Sequence, residues 1–81
     1  MRVILVGKPG CHLCDDARAV VADVCEAAAV DWAEASILDD PDLADRYAEQ
    51  IPVVLVDGVV HDFWRVDAGR LREALATTGD R

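Results

Sequence analysis

The chain of 81 residues has no cluster of lysine and arginine, and its formal net charge is −8. Nucleic acid and anionic membrane both require a basic face, so neither is expected as a partner. Long hydrophobic runs are also missing. The N-terminal apolar stretch, Val3-Ile4-Leu5-Val6, is too short for a signal-peptide core and far short of a membrane span. With no targeting segment in view, the cytoplasm is the expected location. Neither repeats nor a linker interrupt the chain, and its length fits one domain over residues 1–81, expected to act as a monomer. A structural zinc site needs four ligands in paired spacing; only one Cys-x-x-Cys pair exists, so no metal ligands are assigned.

Apolar residues, by contrast, make up 53% of the chain, enough for a real core and too many for disorder. The β-branched run Val3 to Val6 suits a strand covered on both faces. Gly7-Lys8-Pro9-Gly10 is a turn cluster. From Leu13 the apolar positions Ala17, Val20, Val21, Val24 and Ala28 follow on one helical face, with Asp15 and Asp16 at the positive end of the dipole. Val30 to Ile37 reads as a second strand. Asp40 and Pro41 are an N-cap and a first helical residue, opening a short helix to Glu49 with Leu43 and Tyr47 spaced by four. Gln50-Ile51-Pro52 breaks it. Val53 to Val56 is a third strand, Asp57-Gly58 a two-residue hairpin turn, and Val59 to Trp64 the returning strand. Asp67 caps a last helix through Thr77, with Leu71 and Leu75 inward, and residues 79–81 are a frayed tail. The order is β-α-β-α-β-β-α, an α/β fold with a four-stranded mixed sheet. Its first two strands are parallel, and helices cover both faces.

Chemistry concentrates at Cys11-His12-Leu13-Cys14, between a strand and a helix start. Unpaired N–H groups and the dipole there favour thiolate, the attacking species, over thiol. Cys11, at the turn, is the expected nucleophile and Cys14 the resolving thiol. Lys8 and a protonated His12 add positive charge, while Asp15 and Asp16 oppose it; the sequence leaves the balance open. Cys25 lies on the same helix about 16 Å along the axis from Cys14, so it is read as a core thiol. His61 reads as an ordinary strand residue. Trp32 and Trp64 read as core or groove packing, with a substrate-groove wall as the other reading of Trp64.

The strand, the Lys-x-x-Cys-x-x-Cys turn from Lys8 to Cys14, the helix, and the later Ile51-Pro52 with its strand and Asp57-Gly58 hairpin together resemble a glutaredoxin. The likeness covers essentially the whole chain. It is nearest to the bacterial glutaredoxin-like group in which Cys-x-Leu-Cys is followed by acidic residues and a short Asp-Pro-x-Leu segment, here Asp40 to Leu43. The resemblance implies a thioredoxin-like fold and a dithiol–disulfide oxidoreductase with Cys11 and Cys14 as catalytic pair. It implies a cis Pro52 facing the disulfide, and an Ile51 backbone free to bond an extended substrate. Lys8, His12 and Asp67 complete the expected substrate-binding set. No cofactor is expected beyond the redox-active disulfide, with glutathione as a candidate co-substrate.

Two departures matter. Pro-Tyr between the cysteines is replaced by His12-Leu13, and the Gly-Gly-x-Asp-Asp stretch that holds the γ-glutamyl end of glutathione is missing. Asp67 and the N–H groups of the last helix are what remains there. Glutathione is therefore expected to bind weakly at best. The expected partners are a protein disulfide and a thiol reductant, either glutathione or a reductase. The rival reading is a soft-metal or iron–sulfur module using the same thiol pair. Against it, Gly7 to Gly10 precedes Cys11 where copper-carrying domains have a methionine, and the element order differs.

Overall fold

The β-branched run builds the first strand, β1 (Val3–Gly7), in a computed structural model that describes residues 2–78. It is followed by α1 (His12–Ala28), β2 (Trp32–Ser36), α2 (Pro41–Tyr47), β3 (Val53–Val56), β4 (Val59–Phe63) and α3 (Ala68–Thr78). The sheet order is β2-β1-β3-β4. β1 and β2 are parallel, Val3 opposite Trp32 and Gly7 opposite Ser36, as a helical crossover requires. β3 runs antiparallel to β1, with Val3 opposite Val56 and Val6 opposite Val53. Asp57 and Gly58 close the β3–β4 hairpin at φ 53° and 84°, the paired left-handed conformation that a two-residue turn of this hand needs. Leu55 pairs with Val60 but Val54 pairs with Asp62, which leaves His61 as the extra residue of a bulge.

The two faces of β1 go to different helices. Val3 and Leu5 join Val54 and Val56 in one cluster with Ala17, Val21, Val24 and Cys25 of α1 and Leu71 and Leu75 of α3. α1 and α3 pack against each other over this face. α2 adds nothing to that cluster and falls to the opposite face, where Val6 and Val53 are fully buried and Ile4 and Leu55 half-buried. The result is the expected mixed sheet with helices on both faces.

Element ends differ from the sequence reading for local reasons. β2 starts at Trp32, not Val30, because α1 ends in a Schellman motif. Ala29 takes φ 57°, its N–H donates to the Glu26 carbonyl at 3.2 Å, and Val30 N–H donates to the Cys25 carbonyl at 2.9 Å. Val30 still packs against the core. α2 stops at Tyr47, two residues early, and Gln50 N–H turns back to the Tyr47 carbonyl at 2.8 Å. β4 stops at Phe63 because Trp64 takes φ 63°. The tail at 79–81 lies outside the described residues. Among the described residues, no helix is long and apolar enough to cross a membrane.

Candidate active site

Strand β1 delivers the chain to the start of α1, and Cys11 is the N-cap of that helix. Its sulfur takes the place that a serine or aspartate oxygen usually holds, accepting the Cys14 backbone N–H at 3.3 Å. Asp15 N–H donates to the Cys11 carbonyl at 3.0 Å, fixing the first turn. Both thiols are free and unequal in setting: Cys11 is partly exposed, whereas Cys14 is buried at 1% exposure. Cys14 is wedged against β1. A Cβ placed on Gly7 would lie 2.9 Å from Cys14 Sγ and 3.3 Å from its Cβ, so only glycine leaves room for this thiol.

The electrostatics follow the geometry. Hydrogen bonding to the Cys14 side chain is the main influence holding the Cys11 thiol below its ordinary value. The N–H groups of Cys14 and Leu13 and the charge of Lys8 add to this, against a smaller opposing effect of burial. Burial pushes the Cys14 thiol up to about 11, helped by its hydrogen bond to Cys11 and the charge there, while the Lys8 N–H and the Arg18 charge work the other way. The opposition expected from Asp15 is met by Arg18. This guanidinium bonds Asp15 at 2.8 Å and Glu34 of β2 at 2.8 Å, so the charge nearest the first turn is paired. Cys25 is fully buried, and burial pushes its thiol up, as befits a core residue.

The other expected site residues are placed differently from one another. Ile51-Pro52 is cis, with Pro52 buried. Ile51 lines an open groove together with Leu13, one of the two residues between the cysteines. Lys8 is exposed at the turn before Cys11, and His12 is exposed as the first residue of α1. Asp67 is engaged as the cap of α3: its Oδ1 accepts Arg70 N–H at 3.0 Å, and its own N–H donates to Asp62 Oδ2 at 3.3 Å. It does not line the groove that joins Ile51 to Leu13. Replacing Asp67 with alanine should remove the cap and lower stability by about 1 kcal/mol, shifting the thermal midpoint down by roughly 4–8 °C. An unchanged midpoint would mean that the cap contributes nothing. Among the described residues, no group of three His, Cys, Asp or Glu side chains comes together to hold a metal ion.

The sequence reading assigned too little to the wall opposite Ile51. Phe63, Trp64 and Arg65 complete the groove, of about 520 Å³, and Phe63 and Trp64 meet edge to face at 5.1 Å. The one signal for them was Trp64 itself, an aromatic residue standing where the glycine-rich stretch is missing.

Comparison with known proteins agrees with this architecture. The family model described as Glutaredoxin-like domain (DUF836) matches residues 2–76. An uncharacterized protein of Mycobacterium tuberculosis is 30% identical over 80 residues, spanning 93% of this chain and 82% of its own length. A structural-genomics target protein from X. campestris superposes with a TM-score of 0.75 at 31% identity, covering 93% of this chain and 96% of the other. Thioredoxin 1 from Thermosipho africanus superposes with a TM-score of 0.67 at 11% identity over 98% and 99% of the two chains, a likeness of fold. A thioredoxin-like sheet, a cysteine pair at the start of α1 and a matching family model over nearly all of its length place the chain in the glutaredoxin-like family.

Proposed function

We propose that the protein is a dithiol–disulfide oxidoreductase in which Cys11 attacks and Cys14 resolves. The observation that carries this reading is the inequality of the two thiols at one helix start, Cys11 lowered and reachable, Cys14 raised and buried. The Cys11 thiolate attacks one sulfur of a substrate disulfide. A Cys11–substrate disulfide forms and the other substrate sulfur leaves as a thiolate, which takes a proton. Cys11 is then uncharged, so two of the influences that raise Cys14, the hydrogen bond and the charge of Cys11, disappear. The Lys8 N–H and Arg18 remain. Cys14 therefore becomes easier to ionise when its turn comes. Its thiolate attacks Cys11 Sγ, closing the Cys11–Cys14 disulfide and releasing the second substrate thiol. Two electrons and two protons have passed to the substrate, and an external thiol, glutathione or a reductase protein, returns them. This chemistry suits a monomer in the reducing cytoplasm, with protein disulfides as substrates.

Reduction of a protein disulfide, coupled in parallel to glutathione with its reductase and to a thioredoxin reductase, tests the reading. Turnover in either arm supports it and names the electron donor; turnover in neither overturns it. The thiols also differ in pH dependence. Alkylation of Cys11 by iodoacetamide should rise as pH climbs through its lowered pKa and level off below the ordinary thiol range. Alkylation of Cys14 should rise only as pH approaches about 11, and Cys25 should stay unmodified until the chain unfolds. Peptide mapping after timed labelling reads all three. Equal or earlier labelling of Cys14 would contradict the assignment.

A further inference from the structure

We infer that the groove beside Cys11 selects protein segments that carry a bulky apolar residue and an acidic residue next to their disulfide cysteine, Trp64 reading the first and Arg65 the second. This inference rests on the oxidoreductase reading and deepens it. Its starting point is a large aromatic surface left in water: Phe63 is 42% and Trp64 53% exposed, side by side at the end of β4. The exposure is built in. Trp64 stands at φ 63°, a conformation that disfavours a bulky residue and persists only where its surroundings impose it. Those surroundings are visible. Trp64 N–H donates to the Pro52 carbonyl at 2.9 Å, and the indole Nε1–H donates to the Glu49 carbonyl at 3.1 Å. Asp62 braces the turn, its Oδ1 accepting Phe63 N–H at 3.0 Å and its Oδ2 accepting Asp67 N–H at 3.3 Å. The indole is thus tied to the turn that carries Ile51-Pro52, with little left to order on binding.

The groove is continuous with the chemistry, because Leu13, one of the two residues between the cysteines, forms part of its wall. A side chain lying there belongs to a segment whose cysteine has reached Cys11. At about 520 Å³ it is of the size of small-ligand sites and is lined by Leu13, Ile51, Phe63 and Trp64, so a bulky apolar residue fits it. Its one charged wall residue is Arg65. Arg2, Arg18 and Arg70 each lie within 4 Å of a carboxylate; among the described residues Arg65, like Arg46 and Arg72, has no ion pair, and Arg65 is the one of these three that lines the groove. Asp16 shares a smaller adjoining cavity with Arg65 without pairing to it. In a chain of net charge −8, an unpaired guanidinium beside an apolar trough marks an acidic group on the partner.

Two short peptides test this, each oxidised to a symmetric dimer through its single cysteine. One places Leu and Glu beside that cysteine, the other Ser and Lys. The wild-type protein should reduce the Leu/Glu dimer with a kcat/KM about tenfold higher, mostly through KM. Trp64→Ala and Arg65→Glu should each shrink the preference for the Leu/Glu dimer over the Ser/Lys dimer, and the double variant should abolish it. Equal kcat/KM for the two dimers, or a preference that survives both variants, would overturn the inference. Self-association abolished by Trp64→Ala would do so as well, by naming a second copy as the occupant. Binding is read without redox chemistry by titrating the Leu/Glu peptide, with serine in place of its cysteine, against the indole N–H resonances. A protein that shifts the Trp64 resonance but reduces no disulfide keeps the groove and loses the oxidoreductase reading. A protein that reduces bis(2-hydroxyethyl) disulfide but shows neither peptide preference nor indole shift does the opposite.

Discussion

The Cys14→Ser variant should accumulate covalent adducts with protein substrates, every one of them through Cys11. Once the mixed disulfide forms, the group that would expel the partner is missing, and the adduct persists until an outside thiol removes it. Cys11→Ser should trap nothing and lose turnover by at least about a thousandfold, since removal of a nucleophile abolishes the pathway rather than slowing it. The asymmetry comes from place, not residue type. Cys11 caps α1 with its sulfur partly open to solvent, whereas Cys14 has 1% of its surface exposed. Cys25→Ala should keep turnover within about twofold and lose only stability. Non-reducing gels of lysate passed over each variant, followed by peptide mapping, give the answer. Comparable trapping by Cys11→Ser and Cys14→Ser would sink the division of roles.

Gly7→Ala should be the most damaging single methyl group added near the site. Two effects compete. Gly7 is not in the left-handed region, so alanine is conformationally allowed and its stiffer unfolded chain would stabilise the fold by about 0.4–1 kcal/mol. Against that, the new Cβ would stand 2.9 Å from Cys14 Sγ, on a buried residue with nowhere to retreat. Overpacking of this kind costs about 1–3 kcal/mol, so the clash wins. Thermal unfolding should show a lower midpoint. Displacing Cys14 from Cys11 should also slow resolution, so that mixed disulfides linger as they do in Cys14→Ser. Adding Cys14→Ala removes the sulfur and leaves only the 3.3 Å contact with Cβ, so the double variant should recover part of the lost stability. A Gly7→Ala protein as stable and as fast as its parent would show that Cys14 can move freely.

The sequence made the cysteine pair legible because strand, turn and helix start lie within a dozen residues, where local rules apply. The same holds for the Asp57-Gly58 turn, the Asp40-Pro41 helix start and the Asp67 cap, each of which the structure contains. Tertiary partners were not legible. Asp15 could be seen to oppose the thiolate, but the neutralising Arg18 is oriented by Glu34 on a strand brought alongside only by folding. Val30 looked like a strand residue because its N–H had no visible claim on Cys25. Trp64 was ambiguous because nothing in a tryptophan signals a left-handed backbone; the bonds it donates to the Pro52 and Glu49 carbonyls impose it, and both acceptors lie in another part of the chain.

The sheet order has a consequence for how the molecule is made. β1 is an inner strand, yet its two neighbours arrive at very different times. β2 is supplied by the next crossover, while β3, which pairs Val53 with Val6 and Val56 with Val3, follows about fifty residues later. Closing so long a loop is entropically slow relative to local steps. During synthesis, then, a β-α-β half exists first, with one edge of β1 bare and its Val, Ile and Leu residues half covered. Such an edge is a template for pairing with other chains. Protection comes only when Val53 to Val56 emerges, so a nascent chain stalled before that strand is the form most prone to aggregate.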